Sequence, residues 1–194
     1  MMQNSSSKLL KLVILSILGS ISLVLFFINF PLPFLPPYLK IDFSDVPALM
    51  ASLIFSPMAG VIVVGIKNLL YFVISGAGDP IGVAANFLAG IMFVVPVGVL
   101  YHKFKGVKSI VSGLVAGTII MAVGMSVLNY FIILPAYALF MGWDMSAYVK
   151  WISVIGGVLP FNIIKGTIVG LLFIPIFMKM RSWIEQKQMN AVEA

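Results

Sequence analysis

Two lysines sit inside otherwise apolar runs, where a charge is hardest to accommodate. Lys67 lies in Gly65-Ile66-Lys67-Asn68 and Lys165 in Phe161-Asn162-Ile163-Ile164-Lys165-Gly166. An ammonium group in apolar surroundings is costly, and it usually marks a ligand or ion path with a partner. Asn162 and Lys165 are three residues apart and so share one helical face. Asn129, in Leu128-Asn129-Tyr130, adds an amide to the preceding helix. Such groups could bind the polar edge of a small molecule. The competing reading is a set of polar links between helices, each worth about 1 kcal/mol. That reading suits Asn68 and Asn86. For Asn162 and Lys165 a ligand site is favoured, because Pro160 breaks the helix just above them. Lys67 stays open between a ligand contact, snorkelling and a structural ion pair.

Catalysis fails on inventory. There is no Cys, so there are no disulfides, thiolate nucleophiles or thiolate-held metals. One histidine, His102, cannot supply both a triad and a metal site. Gly60-x4-Gly65-Ile66-Lys67 superficially resembles a phosphate loop. Its Lys does not directly follow the second Gly, and no Ser or Thr follows it. No Asp or Glu lies within the six apolar runs, which argues against a proton-coupled carrier. The expectation is a binding protein, not an enzyme, with no cofactor and no metal.

The elements that must position these groups are membrane helices. Of 194 residues 61% are hydrophobic and 9% charged, with mean hydropathy +1.14; soluble domains average about 25% charged. So small a soluble domain could not hide that much apolar surface. A helix needs about 20 apolar residues to span a bilayer. The first span is 9–30, followed by Pro31-Leu32-Pro33-Phe34-Leu35-Pro36-Pro37, which cannot continue a helix. A signal peptide is the lesser reading, since no small-x-small cleavage site follows the apolar stretch. Ser44 or Asp45 ahead of Pro47 is a helix-start signal and opens a short helix, 46–55. That helix spans only if its loop dips into the membrane under a protein cover. Spans 59–74, 81–101, 110–140 (carrying Pro135) and 149–178 (interrupted by Gly156-Gly157 and Pro160) complete six. The expected architecture is all-α: one polytopic domain over residues 1–194, with a polar tail from about 179.

Six spans put both termini on one side, together with Lys8, Lys11, Lys103, Lys105, Lys108, Lys179, Arg181 and Lys187. The other side holds Lys40, Lys150, Asp42, Asp45, Asp79 and Asp144. Positive residues favour the cytoplasm, so both termini are expected there. The net charge of +6 is thereby spent at helix ends and does not form a nucleic-acid surface. Tyr38, Tyr71, Tyr130, Tyr137, Trp143, Tyr148 and Trp151 crowd the outer side. Most fit an interfacial belt, and a minority could stack on a planar ligand. Small-x3-small pairs, among them Ser16/Ser20 and Gly113/Gly117, allow close helix approach.

Leu39-Lys40-Ile41-Asp42-Phe43-Ser44-Asp45-Val46-Pro47, Gly65-Ile66-Lys67-Asn68-Leu69-Leu70 and Phe161-Asn162-Ile163-Ile164-Lys165-Gly166 together carry a resemblance. The chain resembles the riboflavin-specific substrate-binding components of energy-coupling factor (ECF) transporters over nearly its whole length. The resemblance implies a six-helix bundle in the bacterial cytoplasmic membrane that captures riboflavin from outside. It implies docking onto a module of one transmembrane and two ATP-binding subunits, which supplies the energy. By motif it nominates Asn129, Asn162, Lys165, the loop Lys40, Ile41, Asp42, Phe43 and Ser44, and Asp144 as ligand residues. Where relatives show paired alanines on the first helix, this chain has Ser16, Gly19 and Ser20, the implied docking stretch. Riboflavin is a flat apolar tricycle with an imide-like edge and a polyol chain, which suits apolar walls, a few donors and a polar loop. A component for another vitamin, such as thiamine or biotin, and a non-transporting membrane scaffold are the alternatives.

Overall fold

Turn and capping chemistry divides the chain much as its composition suggests. The computed structural model describes residues 2–142 and 144–192; Trp143 and the last two residues of the expected tail lie outside them. Among the described residues there are six helices. Helix α1 (Met2–Phe27) ends where the Asn29 side chain donates to the Phe26 carbonyl at 2.8 Å. The proline-rich segment that follows is bracketed by two short strands, β1 (Asn29–Pro31) and β2 (Lys40–Asp42). They pair antiparallel, Phe30 opposite Ile41, a small addition to the all-α expectation. Helix α2 (Asp45–Ile54) turns at Ser56-Pro57 into α3 (Pro57–Ile74). The Ser56 hydroxyl accepts from Ala59 N–H, and Pro57 takes the first-turn position where no N–H is needed. Asp79 and Pro80 repeat that device at the start of α4 (Pro80–Phe104).

Helices α5 (Gly106–Met141) and α6 (147–192) each contain a widened π turn, at Asn129–Ile133 and Val154–Val158. Each turn precedes a proline almost directly. The N–H of Leu134 reaches back five residues to Asn129, and that of Leu159 to Val154. A proline ring clashes with the carbonyl four residues earlier, and widening the turn relieves the clash. Pro160 therefore does not break its helix, contrary to the sequence expectation. It displaces the helix by a π turn and lets it run on through Val192.

Five helices are long and apolar enough to cross a membrane. The exception, α2, is the most enclosed: residues 47–54 are all buried, among α1, α3, α4 and α6. The polar end of α2 is satisfied from other helices. His102 Nε2 lies 2.8 Å from the Ser52 carbonyl, so this nitrogen carries the proton. Gln188 donates to the Leu53 carbonyl, and Lys105 holds Gln188 at 2.8 Å. Glycines bring α5 tightly onto α4: a Cβ on Gly117 would stand 2.5 Å from the Phe93 carbonyl, and one on Gly113 2.8 Å from Val97 Cα. Large apolar side chains such as Leu12, Val73, Ile119 and Leu171 cover the outside. Leu35 and Ile41 of the proline-rich loop pack on Phe161 of α6, so the loop's far end is drawn into the bundle.

Candidate functional site

The inward pull on that loop is electrostatic as well as apolar. Asp42, Ser44 and Asp45 arrive from the loop and the start of α2, Lys67 from α3 and Lys165 from α6; all five are buried. Lys165 Nζ is 2.9 Å from Asp42 Oδ2 and 3.5 Å from Asp45 Oδ2. Lys67 Nζ is 3.7 Å from Asp45 Oδ1 and donates to the Ser44 hydroxyl at 2.9 Å. That hydroxyl donates on to Asp42 Oδ1, which also accepts the Ser44 N–H at 2.9 Å. Ser44 thus serves the cluster and makes no side-chain cap for α2, the role its position suggested. Its own carbonyl accepts from Ser22 of α1. Burial alone would raise the Asp42 carboxyl, but the Lys165 and Lys67 ammonium groups and the Ser44 bond hold it below the usual carboxylate range. Two acids and two lysines make a cluster with no net charge, the arrangement under which buried charges are tolerated.

Above this cluster opens a cavity of about 380 Å³, within the roughly 300–1,000 Å³ usual for small-molecule sites. Its walls mix aromatic side chains (Phe26, Tyr38, Tyr71, Tyr137, Phe161) with Asn86, Asn129, Asn162, Lys165, Lys40, Asp42 and Asp79. Phe26 and Tyr71 meet edge to face, 4.7 Å between ring centres. Asn129 and Asn162 each donate one amide hydrogen to the carbonyl a turn back, on Met125 and Val158, at 2.8 Å. Each has its Oδ1 and second amide hydrogen left over from that bond. Both lie at a π turn: Asn129 opens one, and Val158, partner of Asn162, closes the other. At one edge the Tyr137 hydroxyl, 2.8 Å from both Asp79 oxygens, donates to that carboxylate and ties α5 to the start of α4.

The structure brings Asn129, Asn162, Lys165, Lys40 and Asp42 together around one space. Ser44 stands behind them in the charge cluster. Ile41 is buried in the apolar contact with Phe161, and Phe43 turns to Phe30, with ring centres 6.4 Å apart. Neither lines the cavity. Asp144 is exposed on the connection after α5 and stands outside it as well. On α1, Ser16 and Ser20 are exposed, whereas Gly19 is buried: a Cβ there would meet Ile66 of α3 at 2.5 Å. Gly19 belongs to the internal α1–α3 contact and not to an outward stripe. Sequence reasoning did not single out Asp45, Asp79 or Tyr137 as site residues. Asp45 was visible as a buried-lysine partner only if the loop entered the bundle.

A helical membrane bundle with a polar-edged, aromatic-walled cavity beneath its first loop is the design of a membrane solute-binding protein. The chain belongs to the substrate-specific components of ECF transporters, whose family pattern it matches over residues 10–177. It is 47% identical over 184 residues to the riboflavin transporter FmnP of Bacillus subtilis (strain 168), covering 93% of this chain and 97% of that protein. It is 42% identical over 176 residues to the riboflavin transporter RibU of Staphylococcus aureus (strain TCH60), covering 91% and 93%. A solved structure of the S component of a bacterial ECF transporter superposes with TM-score 0.77 at 42% identity, covering 91% of this chain and 98% of that one. With five helices long and apolar enough to cross a membrane, the chain is a multi-pass membrane protein and a transporter subunit.

Proposed function

We propose that this chain is the riboflavin-binding subunit of an ECF uptake transporter, taking the vitamin from outside the cell. The cavity carries this reading. Its aromatic walls suit a flat tricycle, and Asn129, Asn162 and Lys165 at one side offer donors and acceptors to an imide-like edge. Lys40, Asp42 and Asp79 can meet polyol hydroxyls. Relatives named riboflavin transporters, alike along nearly the whole chain, support the same ligand. Riboflavin is cargo here and not a cofactor.

The energy would come from partners: a shared module of one transmembrane and two ATP-binding subunits, docked through the exposed Ser16–Ser20 side of α1. Both termini then face the cytoplasm, as the basic residues near them favour. A membrane scaffold, the alternative the sequence left open, leaves the cavity and its amides without a purpose. The test is direct. Protein purified in detergent should come out yellow, and after stripping should quench riboflavin fluorescence with one-to-one stoichiometry. Thiamine and biotin should not compete; displacement by either, with no flavin bound, would overturn the assignment.

A further inference from the structure

Two members of the charge cluster have no part in the ligand reading. Asp42 and Lys165 line the cavity, whereas Asp45 and Lys67, each 1% exposed, stand behind them. Asp45 is nevertheless shared between the two lysines, with Oδ2 at 3.5 Å from Lys165 and Oδ1 at 3.7 Å from Lys67. Oδ1 has no hydrogen-bond partner. Lys67 is fixed from two other directions, by the Ser44 hydroxyl at 2.9 Å and by the face of Phe26, 5.1 Å from the ring centre. Phe26 itself lines the cavity. Salt screens buried charges of this kind much less than exposed ones. The pull of Asp45 on Lys165 is therefore set by how much of its charge Lys67 balances.

We propose that Asp45 and Lys67 are positioning residues for the ligand, a buried pair whose charge balance fixes how far the Lys165 ammonium group reaches into the cavity. The inference rests on the riboflavin reading above. An ammonium group has three N–H donors. Asp42 engages one at 2.9 Å, while the 3.5 Å to Asp45 is too long for a full hydrogen bond. Donor capacity therefore remains for a ligand. Without the charge on Lys67, Asp45 has Lys165 as its one cationic neighbour, and the ammonium group is drawn back from the cavity. Without either member of the pair, Asp42 and Lys165 still balance each other and Lys165 keeps its place.

Riboflavin affinity, measured by fluorescence quenching on monodisperse detergent-purified protein, tests this alongside melting temperature. Lys67→Met should lose about tenfold or more in affinity per folded molecule, whereas Lys67→Arg, which keeps the charge, should stay within about threefold. The double variant Asp45→Asn/Lys67→Met should return to within about threefold of the parent. Unchanged affinity in Lys67→Met with a lowered melting temperature would make the pair purely structural and overturn the proposal. If Lys67→Met does not fold, the double variant decides, because its cluster stays neutral. Near-parent affinity supports charge balance, and a folded double variant that has lost flavin overturns it. Failure of the parent protein to bind riboflavin would instead remove the functional reading on which the inference stands.

Discussion

Replacing Lys165 with Met should do two separable kinds of damage. The residue is 4% exposed and its ammonium group faces two carboxylates, at 2.9 Å and 3.5 Å. Taking it away leaves Asp42 and Asp45 with one lysine between them, and of the two acids that lysine pairs directly with Asp45 alone. Breaking a buried ion pair from one side costs about 3–5 kcal/mol, because the remaining charge is left uncompensated. At about 2–4 °C per kcal/mol for a chain of this length, the melting temperature should fall by on the order of 10 °C. Loss of a charged donor to the ligand should cost a further 1.5–3 kcal/mol or about ten- to a hundredfold in affinity. The Lys165→Met/Asp42→Asn double variant separates the two. It removes one charge of each sign, so thermal stability in detergent should return close to the parent value while riboflavin affinity stays weak. Parent-like affinity in the double variant would refute the ligand role of Lys165. Lys165→Met with an unshifted melting curve would refute the buried ion cluster.

Asn129→Leu and Asn162→Leu should each weaken riboflavin binding by about 1–3 kcal/mol, since a polar ligand edge would face an apolar side chain; titration of both folded variants checks this, and unchanged affinity in both would dismiss the site on α5 and α6. Asp144→Asn should shift affinity by no more than about 0.5 kcal/mol, because its side chain is exposed and away from the cavity. Gly19→Leu should lower the yield of folded protein, its side chain being driven into Ile66. Ser20→Trp, on the exposed side of the same helix, should leave yield and binding intact but abolish riboflavin uptake in cells that carry the partner subunits; equal loss of binding and uptake would refute docking through that side.

The helices were legible because each rests on a local rule. Apolar length marked the long spans, while Ser56-Pro57 and Asp79-Pro80, which fall between the expected runs, open the next helices with capped first turns in the structure. The short helix expected at 46–55 is present as the ten residues of α2. Ser44 does stand at the start of α2, but its side chain bonds Asp42, two residues back, and Lys67 of α3 and does not cap the helix. Pro160 was misread. A proline says that one backbone bond must be absent, but not whether the helix stops or widens, and neighbours decide that. Here α6 continues past Pro160 and packs against α5 and α2.

The deepest gap concerns the lysines. Lys67 and Lys165 announced that partners must exist, and a search confined to the apolar runs found no carboxylate there. The partners come from the end of the loop, as Asp42, and from the first residue of α2, as Asp45. The four prolines, the short β pair and the contact of Leu35 and Ile41 with Phe161 carry these acids into the bundle. Neither a lysine nor the loop could lie there alone, since each would bring an unbalanced charge into an apolar interior. The placement of the loop's far end and the burial of the lysines therefore depend on each other. The cavity sits where they meet, walled by Asp42 and Lys165 themselves. A ligand that took up donors of Lys165 would therefore compete with the bond from Lys165 to Asp42 that anchors the loop.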